Sequence, residues 1–257
     1  MLLWRLLTAL VLAPLVLGAI VLGGWAIPVA LLVVLTFAAY ELAFTFEVPS
    51  LAAFGAGALP IVLSIPFGAN GVLAGVVIGL PWALIWLAVR PGTRTLRAVL
   101  AFLLMALWVG VPLAHLGLIE GLPDGKYLLL LTVVGPWISD TGAYFAGRLF
   151  GRRKLFPTLS PKKTYEGGIG GLLLTIAAAG AFAYGFLGFS IVQGAILGAA
   201  ISVFSQAGDL FESTLKRILD LKELGNMLPG HGGILDRIDS LLFAAPATYY
   251  LYAFFVP

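Results

Sequence analysis

The chain has 257 residues, of which 61% are apolar or aromatic and only 11% are charged, and its mean hydropathy is +1.06. Soluble domains are usually about half apolar and a quarter charged, so a soluble fold of this composition would expose large apolar patches. The net charge is only +3. The sequence contains no cysteine, which excludes disulfide scaffolds and zinc–thiolate sites. The composition therefore indicates an integral membrane protein.

Long, uninterrupted apolar runs predict an all-α, polytopic transmembrane protein with about nine helices. A helix needs roughly 20 apolar residues to cross the hydrocarbon core, and these runs do not alternate as the strands of a barrel would. The third run is short and is bordered by Pro49 and Pro66, so eight crossings remain an alternative. The predicted helices lie at 2–22, 25–46, 50–65, 70–89, 96–116, 126–150, 168–187, 191–215 and 234–256.

The predicted helices form a single membrane domain over residues 1–257. In the first of them, Arg5 is followed by an apolar run that resembles a signal peptide, but no clear cleavage site ends it, and we expect the segment to be retained. Residues 1–120 carry few charges and are predicted to be mainly hydrophobic scaffold, whereas 121–257 are predicted to carry the functional residues. Glu41 is an exception in the scaffold, and a site role and a position near a helix end both remain open.

The basic residues predict the orientation. With nine crossings and a cytoplasmic N-terminus, every lysine and arginine except Lys126 falls on the cytoplasmic side. Such an asymmetry follows the positive-inside rule. The polar clusters of the second half then face the cytoplasm, and the protein is predicted to reside in the inner, or plasma, membrane.

The first polar cluster lies near the end of the sixth predicted helix. Asp140, Tyr144 and Arg148 are spaced four residues apart and so share one stripe of the helix. Gly142 and Gly147 allow another backbone to approach this segment. Asp140 and Arg148 are therefore candidate substrate-binding residues, with a structural ion pair or an interfacial anchor as the alternative.

The second cluster is the basic segment that precedes the seventh predicted helix. Its final part reads Ser-Pro-Lys-Lys-Thr-Tyr-Glu-Gly-Gly and combines hydroxyl groups, ammonium groups and a glycine pair just before a helix. This composition suits a phosphate group, although a basic surface segment can also simply attract anionic lipid. The candidate phosphate-binding residues are Ser160, Lys162, Lys163 and Thr164.

The third cluster supplies carboxylates from two helices. Asp209, Ser213 and Lys216 are spaced to share one helical face, and Asp236 and Asp239 open the last predicted helix. Carboxylates near lysine, arginine and glycine suit a hard cation that bridges phosphate oxygens, and magnesium commonly takes one or two carboxylates together with substrate phosphates. Histidine and cysteine are too sparse for zinc or iron. The cluster therefore indicates a magnesium site.

Residues 213–239 closely resemble the signature of the phosphatidate cytidylyltransferases, also called CDP-diglyceride synthases. The resemblance is carried by Ser-x-Leu-Lys-Arg at 213–217, Lys-Glu-x-Gly at 222–225 and Leu-Pro-x-His-Gly-Gly-Ile-x-Asp-Arg-Ile-Asp at 228–239. The segment from Ser160 and the glycine-rich stretch after Asp140 also fit this family. Glu223 departs from the family pattern, which usually has aspartate at that position.

The resemblance implies transfer of CMP from CTP to phosphatidic acid, giving CDP-diacylglycerol and pyrophosphate. It also implies a magnesium-dependent homodimer in phospholipid biosynthesis, with potassium as a candidate second cation and no nucleic acid partner. By motif position the metal ligands fall on Asp209 and Asp239, with Asp236 as a candidate third ligand that could instead orient Arg237. His231 could move a proton, contact phosphate or serve only the turn. The remaining candidates, predicted to hold phosphate groups, are Lys216, Arg217, Lys222, Arg237 and Ser213.

Two alternatives are a second kind of enzyme and a protein of another functional class, and the same reaction on an ether-linked archaeal lipid also remains open. A CTP-dependent kinase of polyprenol or another lipid alcohol would transfer the terminal phosphoryl group rather than the nucleotide. A membrane transporter is less favoured, because transporters more often place charged or helix-breaking residues mid-membrane in both halves. Here the charged residues cluster in the second half of the chain.

Overall fold

The structure is a computed structural model that describes residues 2–225, 227 and 232–256, with side chains described from Leu10 onward. These ranges contain nine α-helices, one π-helical segment and one two-stranded sheet. The elements are α1 (Leu2–Leu22), α2 (Ala26–Phe46), α3 (Ser50–Val89), α4 (Thr93–Leu103), a π-helix (Leu104–Gly110), α5 (Val111–Glu120), α6 (Gly125–Phe150), β1 (Lys154–Phe156), β2 (Ser160–Thr164), α7 (Tyr165–Phe186), α8 (Ile191–Ile218) and α9 (Leu235–Phe255).

Six helices in the described part of the chain are long and apolar enough to cross a membrane. They are Ala26–Phe46, Ser50–Val89, Thr93–Glu120, Gly125–Phe150, Tyr165–Phe186 and Ile191–Ile218. The third of these is continuous through α4, the π-helix and α5. The prediction of an all-α polytopic membrane protein is thereby confirmed at the level of the fold class.

α3 joins the third and fourth predicted helices through a sharp reversal. Gly68 has φ +58° and ψ −141°, which is not helical. Beyond it, Gly71 packs on the backbone at Leu63 and Gly75 packs on the backbone at Pro60, so the two arms run antiparallel. The second arm can lie this close to the first because glycine has no side chain at these contacts.

The described residues form two compact units. The first contains 1–122 together with 223–237, and the second contains 123–222 together with 238–257. In the first unit, Gly110 of the π-helix packs directly on Gly57 of α3, so that the two backbones touch. At this crossing the long helical segment Thr93–Glu120 changes locally from α-helical to π-helical hydrogen bonding.

Glycines also bring α6, α7 and α8 together in the second unit. Gly171 of α7 packs on the carbonyl oxygen of Ser139, and Gly198 of α8 packs on the carbonyl oxygen of Thr175. The hydroxyl groups of Ser139 and Ser202 lie 2.8 Å apart, which adds a buried hydrogen bond between α6 and α8. Close backbone packing and buried hydroxyl pairs are the usual means of joining helices in lipid.

A short antiparallel hairpin stands where only a loop was expected from the sequence. Lys154 of β1 pairs with Thr164 of β2, and Phe156 pairs with Ser160. Glu166 holds the base of the hairpin, because its carboxylate accepts hydrogen bonds from the backbone N–H groups of Arg152, at 3.0 Å, and Arg153. The hairpin is too short and too polar to show the alternation by which strands are recognised in a sequence.

Candidate active site

The hairpin presents the lysine-rich segment at the start of α7. Thr164 ends β2 and caps α7, because its Oγ1 accepts a hydrogen bond from the N–H of Gly167 at 3.1 Å. Lys162 is exposed, Lys163 is half-buried, and Ser160 is half-buried at the start of β2. The lysines therefore lie directly before a helix N-terminus, where backbone N–H groups and the helix dipole favour anions.

A cavity of about 370 Å³ lies between α6, the hairpin and the start of α7. Among the described residues that line it, Arg148, Lys162 and Lys163 are cationic and Asp140 is acidic. This excess of positive charge suits a phosphate-bearing ligand. The other lining residues are Ala143, Tyr144, Gly147, Leu155, Thr164, Gly167, Gly168 and Gln206.

One wall of this cavity is the stripe of α6 that the sequence predicts. Asp140, Tyr144 and Arg148 all line the cavity, in keeping with their spacing of four residues. The guanidinium of Arg148 donates a hydrogen bond to the Tyr144 hydroxyl at 2.9 Å and lies 6.0 Å from the ring centroid. Tyr144 therefore holds Arg148 at the cavity wall.

Asp209 connects this cationic region to α8. The Lys163 ammonium lies 2.7 Å from Asp209 Oδ2, and both side chains are partly buried. The Ser213 hydroxyl donates a hydrogen bond to Asp209 Oδ1 at 3.3 Å, which agrees with the shared helical face predicted for these two residues. Each carboxylate oxygen of Asp209 therefore has a partner: the Lys163 ammonium at Oδ2 and the Ser213 hydroxyl at Oδ1.

Asp239 of α9 lies beside the same part of α8. Gly208 packs so closely on the Asp239 carbonyl oxygen that no Cβ would fit at residue 208. The Asp239 side chain is buried and accepts a hydrogen bond from the N–H of Ser240 at 2.7 Å. Asp209, Asp140 and Lys216 all lie within electrostatic range of its carboxylate. Three aspartates from three helices therefore occupy one region.

Lys216 forms a largely buried ion pair with Glu212. Its ammonium lies 2.6 Å from Glu212 Oε2, and the two side chains are 15% and 2% exposed. The pair is spaced four residues apart on α8, so it forms within one helix. Glu212 places the Lys216 charge next to the aspartate region rather than out in solvent.

The aspartate region suits a hard cation that also binds substrate oxygens. In the described residues, no three histidine, aspartate or glutamate side chains are arranged to hold a metal ion by themselves. Magnesium needs no such cage, since it commonly keeps waters and takes one or two carboxylates plus substrate phosphates. Asp209 and Asp239 supply oxygen donors of that kind, and Asp140 adds further negative charge.

The other predicted site residues belong to the first unit, are exposed, or lie outside the described residues. Asp236 and Arg237 belong to the first unit, where Asp236 Oδ2 accepts a hydrogen bond from the N–H of Gly233 at 3.0 Å. Arg217 and Lys222 are exposed in the second unit. His231 lies outside the described residues.

Two residues at the site were missed by the sequence analysis. Glu212 carried a visible signal, since it precedes Lys216 by four residues on a predicted helix. Gln206 lines the cavity and donates hydrogen bonds to the Gly168 carbonyl oxygen, at 3.3 Å, and to the Ser202 hydroxyl, at 3.0 Å. A glutamine in a largely apolar helix carries no signal of which neighbouring helix it will face.

Comparisons with known proteins agree with the resemblance noted in the sequence. A sequence model of the cytidylyltransferase family matches residues 3–255. Proteins named phosphatidate cytidylyltransferase are similar: one from Bacillus subtilis (strain 168) is 42% identical over 154 residues, which are 59% of this chain and 57% of that protein. One from Staphylococcus aureus (strain COL) is 42% identical over 149 residues, covering 57% of this chain and 56% of the relative. One from Staphylococcus haemolyticus is 45% identical over 125 residues, or 48% of each chain.

The similarity therefore spans about half the length of the curated relatives, whereas the family match spans nearly the whole chain. The chain belongs to the cytidylyltransferase family.

Proposed function

We propose that the protein transfers CMP from CTP to phosphatidic acid, forming CDP-diacylglycerol and pyrophosphate. The observation that carries this proposal is the placement of a cationic cavity beside converging aspartates in one compact unit of a cytidylyltransferase-family chain. Phosphatidic acid as the lipid substrate is supported by the similarity to relatives named phosphatidate cytidylyltransferase. The long apolar helices are consistent with a substrate that stays in the bilayer.

The proposed reaction brings two anions together, and the chain offers the charges that this requires. Phosphatidate attacks the α-phosphorus of CTP with its own phosphate oxygen, so the protein need not supply a covalent nucleophile. Arg148, Lys162 and Lys163 line the cavity and offset the negative charge of the phosphates. Orientation and charge neutralisation are then the main catalytic contributions of the protein.

Magnesium is the proposed cofactor, with Asp209 and Asp239 as its carboxylate ligands. The ion would neutralise charge on the phosphate oxygens and on the leaving pyrophosphate. Lys163, which pairs with Asp209, would then be free to contact a phosphate oxygen. Potassium as a second cation, and Asp236 as a further ligand, remain parts of the proposal that rest on the resemblance alone.

The proposed setting is the inner membrane, with the active site open to the cytoplasm and two copies of the chain forming a homodimer. The exposed basic residues Arg152, Arg153 and Lys154 beside the cavity support a cytoplasmic position. CTP is a cytoplasmic nucleotide, so a cavity on that face is the one that it could enter directly.

The test is purified protein in detergent with magnesium, phosphatidic acid and a polyprenol as the alternative acceptor, supplied with CTP labelled either at the α- or at the γ-phosphorus. We expect label in the lipid only from α-labelled CTP, together with release of pyrophosphate. Label in lipid from γ-labelled CTP would instead establish a lipid kinase, and no labelled lipid from either would contradict both enzymes.

A further inference from the structure

Glu41 is a buried carboxylate in the middle of the hydrophobic half of the chain. It lies in α2 and is only 2% exposed. Its Oε1 accepts a hydrogen bond from the N–H of Ile234 at 2.7 Å, and its Oε2 accepts one from the N–H of Leu235 at 3.1 Å. Both donors are at the very start of α9, 193 and 194 residues further along the chain.

These two hydrogen bonds satisfy the end of a helix from outside it. The first N–H groups of a helix have no partner within the helix, and a negative charge there is favoured by the helix dipole. Asp236, in the first turn of α9, instead turns back to the N–H of Gly233. Glu41 therefore caps α9 across the first unit, while Asp236 holds the turn that precedes it.

The surrounding backbone is shaped to admit this carboxylate. A Cβ at Gly225 would lie 2.6 Å from Glu41 Oε1, and a Cβ at Gly233 would lie 2.6 Å from Glu41 Oε2. Neither glycine has a positive φ, so their role here is steric rather than conformational. The carboxylate is thus enclosed between the backbone at Gly225 and the backbone at Gly233, and a side chain at either position would collide with it.

A second contact of α2, one turn further along this helix, holds the chain before α9. The Thr45 hydroxyl donates a hydrogen bond to the Leu224 carbonyl oxygen at 3.2 Å. Leu224 and Leu235 are both buried, and both belong to the first unit. Glu41 and Thr45, four residues apart on α2, therefore contact the start of α9 and the earlier position Leu224.

Burial of the Glu41 carboxylate costs free energy. Removing an ionised carboxylate from water costs several kcal/mol, Glu41 is buried, and Asp236 lies within electrostatic range to repel it. An apolar residue with a neutral cap would serve stability alone at lower cost. Fixing the start of α9 has a further consequence, because Asp239 follows Leu235 by four residues in the same continuous helix.

We propose that Glu41 is a positioning residue for the reaction: it anchors the start of α9 and thereby sets the register of Asp239. This inference rests on the proposed function. It assigns a role in catalysis to the hydrophobic half, through a residue that does not touch the substrate. Only a carboxylate of this length serves both donors, because glutamine offers one acceptor oxygen and aspartate is one methylene shorter.

The first experiment compares Glu41→Gln with the matched control Glu47→Gln, which removes the same charge from an exposed position at the end of the same helix. We expect Glu41→Gln to lower kcat about 100-fold, the order reported for small misplacements of catalytic groups, with little change in the KM for phosphatidic acid. The kcat of Glu47→Gln should stay within about two-fold of that of the unsubstituted protein, because exposed ion pairs contribute little.

Hydrogen–deuterium exchange of the same proteins gives a readout that does not depend on activity. In Glu41→Gln, peptides that include Ile234 and Leu235 should exchange faster, whereas peptides from α8 should be unchanged. Faster exchange throughout the protein would indicate general unfolding, and would overturn a positioning role. Unchanged exchange at the start of α9 would overturn the anchor.

A double-mutant cycle tests the enclosure directly. Gly233→Ala should lower kcat by about ten-fold in the native background, because its Cβ displaces the carboxylate, but should add little once Glu41→Asp has shortened the side chain. Additive effects would contradict the contact.

If the unsubstituted protein makes no cytidine-containing lipid, the proposed function fails, and the exchange experiment still decides whether Glu41 anchors α9. If α9 loosens while kcat is kept, the positioning role fails and the proposed function stands.

Discussion

At the scale of single residues, Asp209 is the point where the cationic cavity and the aspartate region meet. It contacts Lys163 on one oxygen and Ser213 on the other. Asp209→Asn keeps the size of the side chain and removes the charge. We expect kcat to fall by about three orders of magnitude, the scale at which loss of a preorganised charge acts on a transition state, with normal thermal unfolding in detergent. Turnover is measured as cytidine-containing lipid.

The control for this substitution is Asp220→Asn. Asp220 is exposed, and although its φ is +54°, asparagine tolerates this conformation well. The control should therefore keep both activity and stability. Full activity of Asp209→Asn would remove Asp209 from the proposed metal site.

The ion pair between Lys216 and Glu212 leads to a prediction about the stability of the folded protein. Breaking a buried ion pair leaves the remaining charge in an apolar environment, which costs about 3 kcal/mol or more. Lys216→Met should therefore lower the melting temperature in detergent clearly, and the double variant Lys216→Met/Glu212→Gln should recover most of this loss. A double variant no more stable than Lys216→Met would show that the 2.6 Å contact contributes little to folding.

At the scale of elements, the packing of α6 against α7 depends on backbone contact. A Cβ at Gly171 would lie 2.6 Å from the Ser139 carbonyl oxygen, whereas a Cβ at Gly185 of the same helix would meet nothing within 4 Å. Gly171→Ala should destabilise the protein by about 1–3 kcal/mol, as overpacking does. Gly185→Ala is the matched control and should be neutral or slightly stabilising. Thermal unfolding of both variants measures the difference, and equal melting temperatures would contradict the close packing of the two helices.

The reversal within α3 gives a purely conformational test. Gly68 has open space around it but a backbone conformation that residues with side chains avoid, so Gly68→Ala should cost about 1–3 kcal/mol through strain alone. Gly55→Ala, in the helical part of α3 and equally open, should not destabilise. Loss of stability in both variants would point to packing rather than to backbone strain.

The elements differ in how far the sequence determines them. Helix positions followed from long apolar runs, and the stripe of Asp140, Tyr144 and Arg148 followed from helical spacing, because both depend on neighbours along the chain. The β1–β2 hairpin was missed because its few residues carry no apolar alternation. Glu41 shows the harder case: its partners are nearly 200 residues away, and no local pattern indicates such a contact.

At the scale of the whole molecule, the absence of cysteine makes the predicted orientation directly testable. Lys126 and Lys154 are both exposed, and the charge distribution predicts that they face opposite sides of the membrane. Lys154→Cys should react with a membrane-impermeant maleimide only when the cytoplasmic side is accessible, and Lys126→Cys only from the other side. Labelling of both from the same side would overturn the predicted topology.

The antiparallel arms of α3 have a consequence for how the chain threads the bilayer. Glu47, just before α3, lies 3.5 Å from Arg97, just after it, so the two ends of this hairpin emerge together. Whether the arms pass through the full thickness or dip in and return, they add an even number of passages. The parity of the path up to α4 is therefore independent of how deeply the hairpin inserts, and an insertion or deletion confined to its tip would leave every later segment facing the same way.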